Sequence, residues 1–223
     1  MDKSIHFYIS CHKPCATVEN EVIRPVQQRQ IIEFLRGGTE EDRFMAEHAN
    51  EYCELLTQYW AWKYENADYY GFGHYRRLFS FRSKNNTDEF KIVYAHYLNA
   101  KTAQEHLLDS PEKMADIVEQ YDVIAPVPYS YDVPTVYLQY KKADRLHIED
   151  LDLTLEIIRE ISPDMYPYAE NYLRGGLFYI GNMFFMKREL FREYSAWLFA
   201  VLRRFYQKRD MRALHYCTEA MRT

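Results

Sequence analysis

The chain has 223 residues, 48% of them hydrophobic and 27% charged, with a formal net charge of -5. That length can close a well-covered core, and the composition excludes a disordered chain. The acidic balance excludes general nucleic-acid binding, and Cys11, Cys15, Cys53 and Cys217 are too scattered for a zinc site or a disulfide framework.

In chain order, Ile5 to Cys11 (IHFYISC) predicts a first strand, stopped by His12, Lys13 and Pro14. Pro25 to Arg36 predicts a helix ended by Gly37 and Gly38. A second helix is predicted from about Phe44 to Tyr64. Its apolar residues Tyr52, Leu55, Leu56, Tyr59, Trp60 and Trp62 cover most of the circumference, leaving Glu54, Thr57 and Ala61 as a narrow stripe. A helix so apolar is mostly buried, and the Glu54 carboxylate then needs a partner, either in a cleft or in a structural ion pair.

The segment YYGFGHYRRLFSF, from Tyr69, begins as a buried strand and ends in concentrated positive charge. Strict alternation places Tyr70, Phe72, His74 and Arg76 on one face, and Gly71, Gly73, Tyr75 and Arg77 on the other. The two glycines leave room for a backbone or a ligand to approach. In open α/β sheets ligands sit beyond the carboxyl ends of the strands, and guanidinium groups match phosphate oxygens two at a time. A diphosphate is therefore expected near Arg76 and Arg77. The alternative is a pair of arginines bridged to surface carboxylates, with His74 merely packed.

A polar loop, RSKNNTDEF, follows. Ser110 and Pro111 open a helix running to Gln120, which leads into the strand YDVIAPVP. Helices are predicted at Thr135 to Lys142, Leu151 to Ile161 and Pro163 to Leu173, a strand at Leu177 to Met186, and a long helix from Lys187 to Lys208. Strands separated by helices predict an α/β fold, one domain over residues 1–223, with a mainly parallel central sheet flanked by helices. No run approaches a membrane span, and the opening MDKSIHFYISCHKP has no apolar stretch long enough for a signal peptide, so a cytoplasmic protein is expected. The 21 Tyr and 13 Phe suit a sugar-binding cleft, and equally a Tyr-rich core and surface.

Three segments together carry a resemblance: NEYCELLTQYWAWK at 50–63, ADYYGFGHYRR at 67–77 and GNMFFMKRELFREYSAWLF at 181–199. They resemble a bacterial domain-of-unknown-function family of capsular polysaccharide and lipopolysaccharide glycosyltransferases. The resemblance implies a GT-A-like, Rossmann-type fold. It also implies transfer of a sugar from a nucleotide-sugar donor, UDP-linked with galactose as candidate, to a lipid-linked or oligosaccharide acceptor. On that reading Arg76 and Arg77 neutralise the diphosphate, His74 donates to it, and His12 and Lys13 lie near the base or phosphates. Asn50 and Glu54 are the carry-overs from the helix region. Candidate bases for the acceptor hydroxyl are Asp150, Glu149 and His147, then Glu54, with helix capping as the alternative for Asp150. No metal ligand set is identified; a divalent metal (Mn or Mg) held by His74 would lack nearby carboxylates.

The chain departs from the family's pattern at GGTEEDRFMAEHANEYCEL and at its ending, DMRALHYCTEAMRT. The altered ending supports an alternative, a non-catalytic relative that binds a sugar nucleotide or a glycan as an assembly partner. The long helix combines the apolar stripe Leu190, Tyr194, Trp197, Leu198, Val201 and Phe205 with Lys187, Arg188, Arg192, Arg203, Arg204, Lys208 and Arg209. That pattern suits core packing with solvated charges, and also peripheral contact at the inner face of an anionic membrane.

Overall fold

The computed structural model describes residues 3–13, 17–82, 92–94, 98–130, 132–179 and 181–209. Most of the predicted loop RSKNNTDEF and the atypical ending lie outside these residues. Contacts divide the chain into two compact units: residues 1–128 with 179–195, and residues 129–178 with 196–223.

The first unit is built on a seven-stranded sheet. Strand β1 (Ile5–Cys11) lies between β2 (Ile23–Gln27) and β3 (Tyr69–His74), parallel to both. The remaining strands add antiparallel pairings. They are β4 (Arg77–Phe79) on β3, β5 (Ile92–Tyr94) on β4, β6 (Val123–Ile124) on β7, and β7 (Phe184–Lys187) on β3. An α/β sheet flanked by helices is thus what forms, as the alternation of segments predicts. Alternation along β1 sends Phe7, Ile9 and Cys11 into a core shared with Met114, Ala115 and Val118 of α6 (Pro111–Val118) and Ala103 of α5 (Ala100–Glu105). Tyr8 goes to the opposite face, into a core with Tyr70, Phe72, Ala61 and Phe191.

Four local predictions are corrected. Residues 23–27 are the edge strand β2, not the start of a helix; Pro25 is tolerated there because an edge position has a free side that needs no N–H donor. Helix α1 (Gln28–Arg36) follows at once. The single helix expected over 44–64 is three: α2 (Glu40–Glu47), α3 (Ala49–Tyr52) and α4 (Leu55–Tyr64). One break falls at His48 and the other at Cys53, a non-glycine residue with φ of 48°, a left-handed conformation that no helix continues. The strand expected over 177–186 keeps regular pairing only from Phe184, after Gly181 turns the chain at φ of 70°. The room beside Gly71 and Gly73 is filled by protein. An added Cβ at Gly71 would meet the Phe185 ring at 2.3 Å, and one at Gly73 would meet Phe7 at 2.8 Å.

The second unit contains α7 (Val136–Lys142), α8 (Ile148–Ile161), α9 (Tyr166–Arg174) and the latter part of α10 (Arg188–Lys208). Its small core joins Ile157, Ile158 and Val201, with Leu153, Tyr166, Trp197 and Phe205 packed against them.

Candidate functional site

Beyond the carboxyl ends of β1, β2 and β3 lies a cleft of about 490 Å³. It is lined by Ser10, His12, Gln28, Ala49, Asn50, Cys53, Glu54, His74, Tyr75, Arg76 and Arg77. Six predicted site residues are therefore brought together: His12, Asn50, Glu54, His74, Arg76 and Arg77. Lys13 is exposed and is not among the lining residues.

The geometry of the arginines comes from a tight turn. β3 ends at His74, Tyr75 and Arg76 form the turn, and Arg77 pairs directly with His74 across the antiparallel ladder. Directly paired residues share a face, so His74 and Arg77 stand together where simple alternation had separated them. Tyr75 is the hub of the cluster. Its ring lies 4.4 Å from that of His12 and 4.3 Å from that of His74, and the Arg76 guanidinium sits over it at 5.2 Å. Gly181 passes the Arg77 guanidinium closely; a Cβ there would lie 3.6 Å from Nη1. Among the described residues neither Arg76 nor Arg77 forms an ion pair with a carboxylate.

His74 is neutral by two separate arguments. Burial pushes its pKa down, and Arg76, Arg77 and His12 push it further, against the opposing pull of Glu54. The Arg76 backbone N–H also donates to Nδ1 at 3.2 Å, so the ring proton sits on Nε2. His74 therefore presents a neutral N–H donor beside two permanent cations.

The opposite wall follows from the helix break. Turning at Cys53 leaves Cys53 and Glu54 at the cleft instead of inside a continuous helix. Such conformations cost about 1–3 kcal/mol and persist where their surroundings hold them. Here the holder is Gln28, whose Nε2 donates to the Cys53 carbonyl at 2.9 Å and to Ser10 Oγ at 3.1 Å. Ser10 Oγ in turn meets Thr57 Oγ1 at 2.9 Å. Ser10, Gln28, Cys53 and Tyr75 were not singled out by sequence reasoning. Ser10 and Tyr75 stood near predicted strand ends, whereas Gln28 and Cys53 fell inside predicted helices, where no signal marked them.

Asp150 and His147 belong to the second unit. His147 occupies the position before α8, and Asp150 lies in that helix's first turn rather than capping a helix from Leu151. The Asp150 carboxylate ion-pairs with Arg209 Nε at 2.9 Å. Basic residues of α10 are engaged likewise, Arg204 and Lys208 with Glu160 and Arg188 with Asp68, as is Lys187 at the end of β7 with Asp122. Among the described residues no three or more His, Cys, Asp or Glu side chains group as metal ligands, and no helix is long and apolar enough to cross a membrane.

No curated protein matches the chain. Among solved structures it is similar to the apo structure of the WbbM bifunctional glycosyltransferase, with 25% sequence identity and a TM-score of 0.79. The likeness covers 93% of this chain and 38% of that one, so the chain spans well under half of that protein's length. Residues 6–223 match the family described as Domain of unknown function (DUF4422), and the chain belongs to it.

Proposed function

We propose that the chain is a glycosyltransferase that moves a sugar from a nucleotide-sugar donor to a glycan acceptor. The observation that carries this reading is the set of unbridged guanidinium groups, Arg76 and Arg77, sharing one cleft with His12 and His74 at the carboxyl ends of parallel strands. Sugar transfer expels a nucleoside diphosphate, and negative charge grows on the leaving phosphate in the transition state. Fixed cations and a neutral N–H donor stabilise that charge without reorganising at the moment of reaction. The similarity to a bifunctional glycosyltransferase supports the same class of chemistry.

The donor is UDP-linked, with galactose as the candidate sugar, in a GT-A-like site. The acceptor is a capsular or lipopolysaccharide intermediate, lipid-linked or oligosaccharide, met in the cytoplasm at the inner face of the membrane. Glu54 takes the acceptor proton, because it lines the cleft whereas Asp150 is held by Arg209. A divalent cation does not fit the lining residues. Among the described residues Glu54 is their single carboxylate, and a hard cation such as Mg or Mn would meet it beside two guanidinium groups. Diphosphate neutralisation is therefore assigned to the arginines.

The test is turnover and thermal stability of the purified protein with UDP-, GDP-, CMP- and dTDP-sugars, in chelator. UDP-sugars should raise the melting temperature by mass action and be turned over, and Arg77→Met should abolish both effects. If no nucleotide sugar shifts the melting temperature, the donor reading fails. If activity lost in chelator returns with manganese, the metal-free assignment fails.

A further inference from the structure

We propose that Gln28 reads the ribose of the bound nucleotide, accepting a hydrogen bond from a ribose hydroxyl through its side-chain oxygen. The inference rests on the donor-binding reading of the cleft and adds a specificity-determining residue to it.

The argument begins with the amide's orientation, which chemistry fixes. A carbonyl oxygen can only accept, so the Gln28 side-chain atom 2.9 Å from the Cys53 carbonyl is the nitrogen. The same nitrogen donates to Ser10 Oγ at 3.1 Å. Both of its protons are then committed to protein. Ser10 Oγ also meets Thr57 Oγ1 at 2.9 Å, a hydroxyl pair in which either oxygen can donate. Among the described residues nothing donates to Gln28 Oε1, and Gln28 lines the cleft. It is an acceptor clamped from behind, in a cleft whose other polar side chains include Arg76, Arg77, Asn50 and the Nε2–H of His74.

Position supplies the chemical class. Gln28 is the first residue after β2, and β2 lies beside β1 in a parallel pair. Where a nucleotide crosses the ends of such strands, an acidic side chain beyond the second strand commonly takes a ribose hydroxyl. Gln28 stands at the corresponding place and offers the same acceptor without the charge. The absence of charge fits the neighbourhood, because a carboxylate there would face the Cys53 carbonyl and would compete with the diphosphate for the arginines. An acceptor whose donors are spent favours a ligand that can donate. Gln28 is half-buried, so its oxygen exchanges solvent for the hydroxyl when the nucleotide binds.

The experiment compares the affinities of UDP, 2′,3′-dideoxyuridine diphosphate and inorganic pyrophosphate for the wild type and for Gln28→Met. Wild type should bind UDP about ten-fold more tightly than the dideoxy form, the value of one well-placed hydrogen bond. Gln28→Met should bind the two nucleotides equally and keep its affinity for pyrophosphate within about two-fold, since the arginines are untouched. Full wild-type discrimination in Gln28→Met overturns the assignment. A wild type that binds pyrophosphate and UDP without preferring the ribose diol overturns it as well, while leaving the phosphate site standing. A wild type that binds neither overturns both readings. Should Gln28→Met lose pyrophosphate binding, Gln28→Asn becomes the readout. It keeps the amide one methylene shorter, and undiminished preference for UDP in that variant also overturns the proposal.

Discussion

Gly71→Ala adds one carbon at the tightest point of the sheet. Gly71 faces Phe185 across the β3–β7 pair, and the new Cβ would fall 2.3, 2.5 and 2.7 Å from Cε1, Cδ1 and Cζ of that ring. Ordinary carbon contact begins near 3.5 Å, so the ring must retreat by about 1 Å. It has nowhere to go: Phe185 is 1% exposed, with the Phe7, Phe79 and Phe81 rings centred 4.8, 5.6 and 5.8 Å away. Overpacking of this kind costs about 1–3 kcal/mol. Stiffening the unfolded chain returns about 0.4–1 kcal/mol. A net loss of about 1 kcal/mol is expected in urea denaturation. The cause is tested by Phe185→Leu, which opens space on the other side of the contact. The double variant should be more stable than the sum of the singles by about 1 kcal/mol, because the residues touch. A neutral Gly71→Ala, or strict additivity, would show that the glycines serve something other than close packing.

Asp42 is 1% exposed and accepts from Thr39, Tyr59 and Tyr64. Burial pushes its carboxyl up, but the bonds from Thr39, Tyr64 and Tyr59 outweigh it and hold the pKa at about 2. A depressed carboxylate stabilises the fold above its unfolded pKa, and that contribution is lost as pH falls through the folded one. Asp42 should therefore contribute about 1–2 kcal/mol at neutral pH, fading between about pH 4 and 2. Asp42→Asn should close part of its stability gap to wild type over that range in urea melts; an unchanged gap refutes the account. The Cys53 thiol lines the cleft, and burial followed by the neighbouring Glu54 charge pushes its pKa up. Maleimide labelling of Cys53 should accelerate with pH and slow about ten-fold or more under saturating UDP. Labelling indifferent to UDP would place the nucleotide elsewhere.

Regular elements were legible where burial repeats with a simple period. IHFYISC became β1 with the predicted bounds, and the last helix was placed within a residue of α10. What escaped was each place where the backbone departs from a period without glycine or proline to mark it. Neither the break at His48 nor the left-handed conformation of Cys53 is announced by its sequence neighbourhood, so three helices read as one. The turn at Tyr75 and Arg76 has no Asn-Gly or Gly signature, so the alternation was carried two residues too far. Pro25 in β2 was read as a helix start because edge position is a tertiary fact. The charged members of the cleft could be picked out as strand-end charges. Ser10, Gln28 and Tyr75 could not, since nothing in a neutral side chain's identity says which of its hydrogen bonds are already taken.

Those same departures assemble the cleft's chemistry. Continuing β3 through Arg77 would put His74 and Arg77 on opposite faces; turning at Tyr75 sets them together. Continuing the helix through Cys53 would commit its carbonyl to the regular helical ladder; with the break it accepts from the Leu56 N–H at 3.2 Å and from Gln28 Nε2 at 2.9 Å. The result is a charge imbalance held in a rigid frame, with Glu54 as the one lining carboxylate among the described residues against Arg76 and Arg77, and with His74 kept neutral by its surroundings. Such an imbalance costs stability in the free protein, through repulsion between the guanidinium groups and the strain at Cys53. An incoming anion relieves the first cost and leaves the second in place. In the proposed transfer reaction, that relief is expected to be largest where charge is most concentrated, on the departing diphosphate.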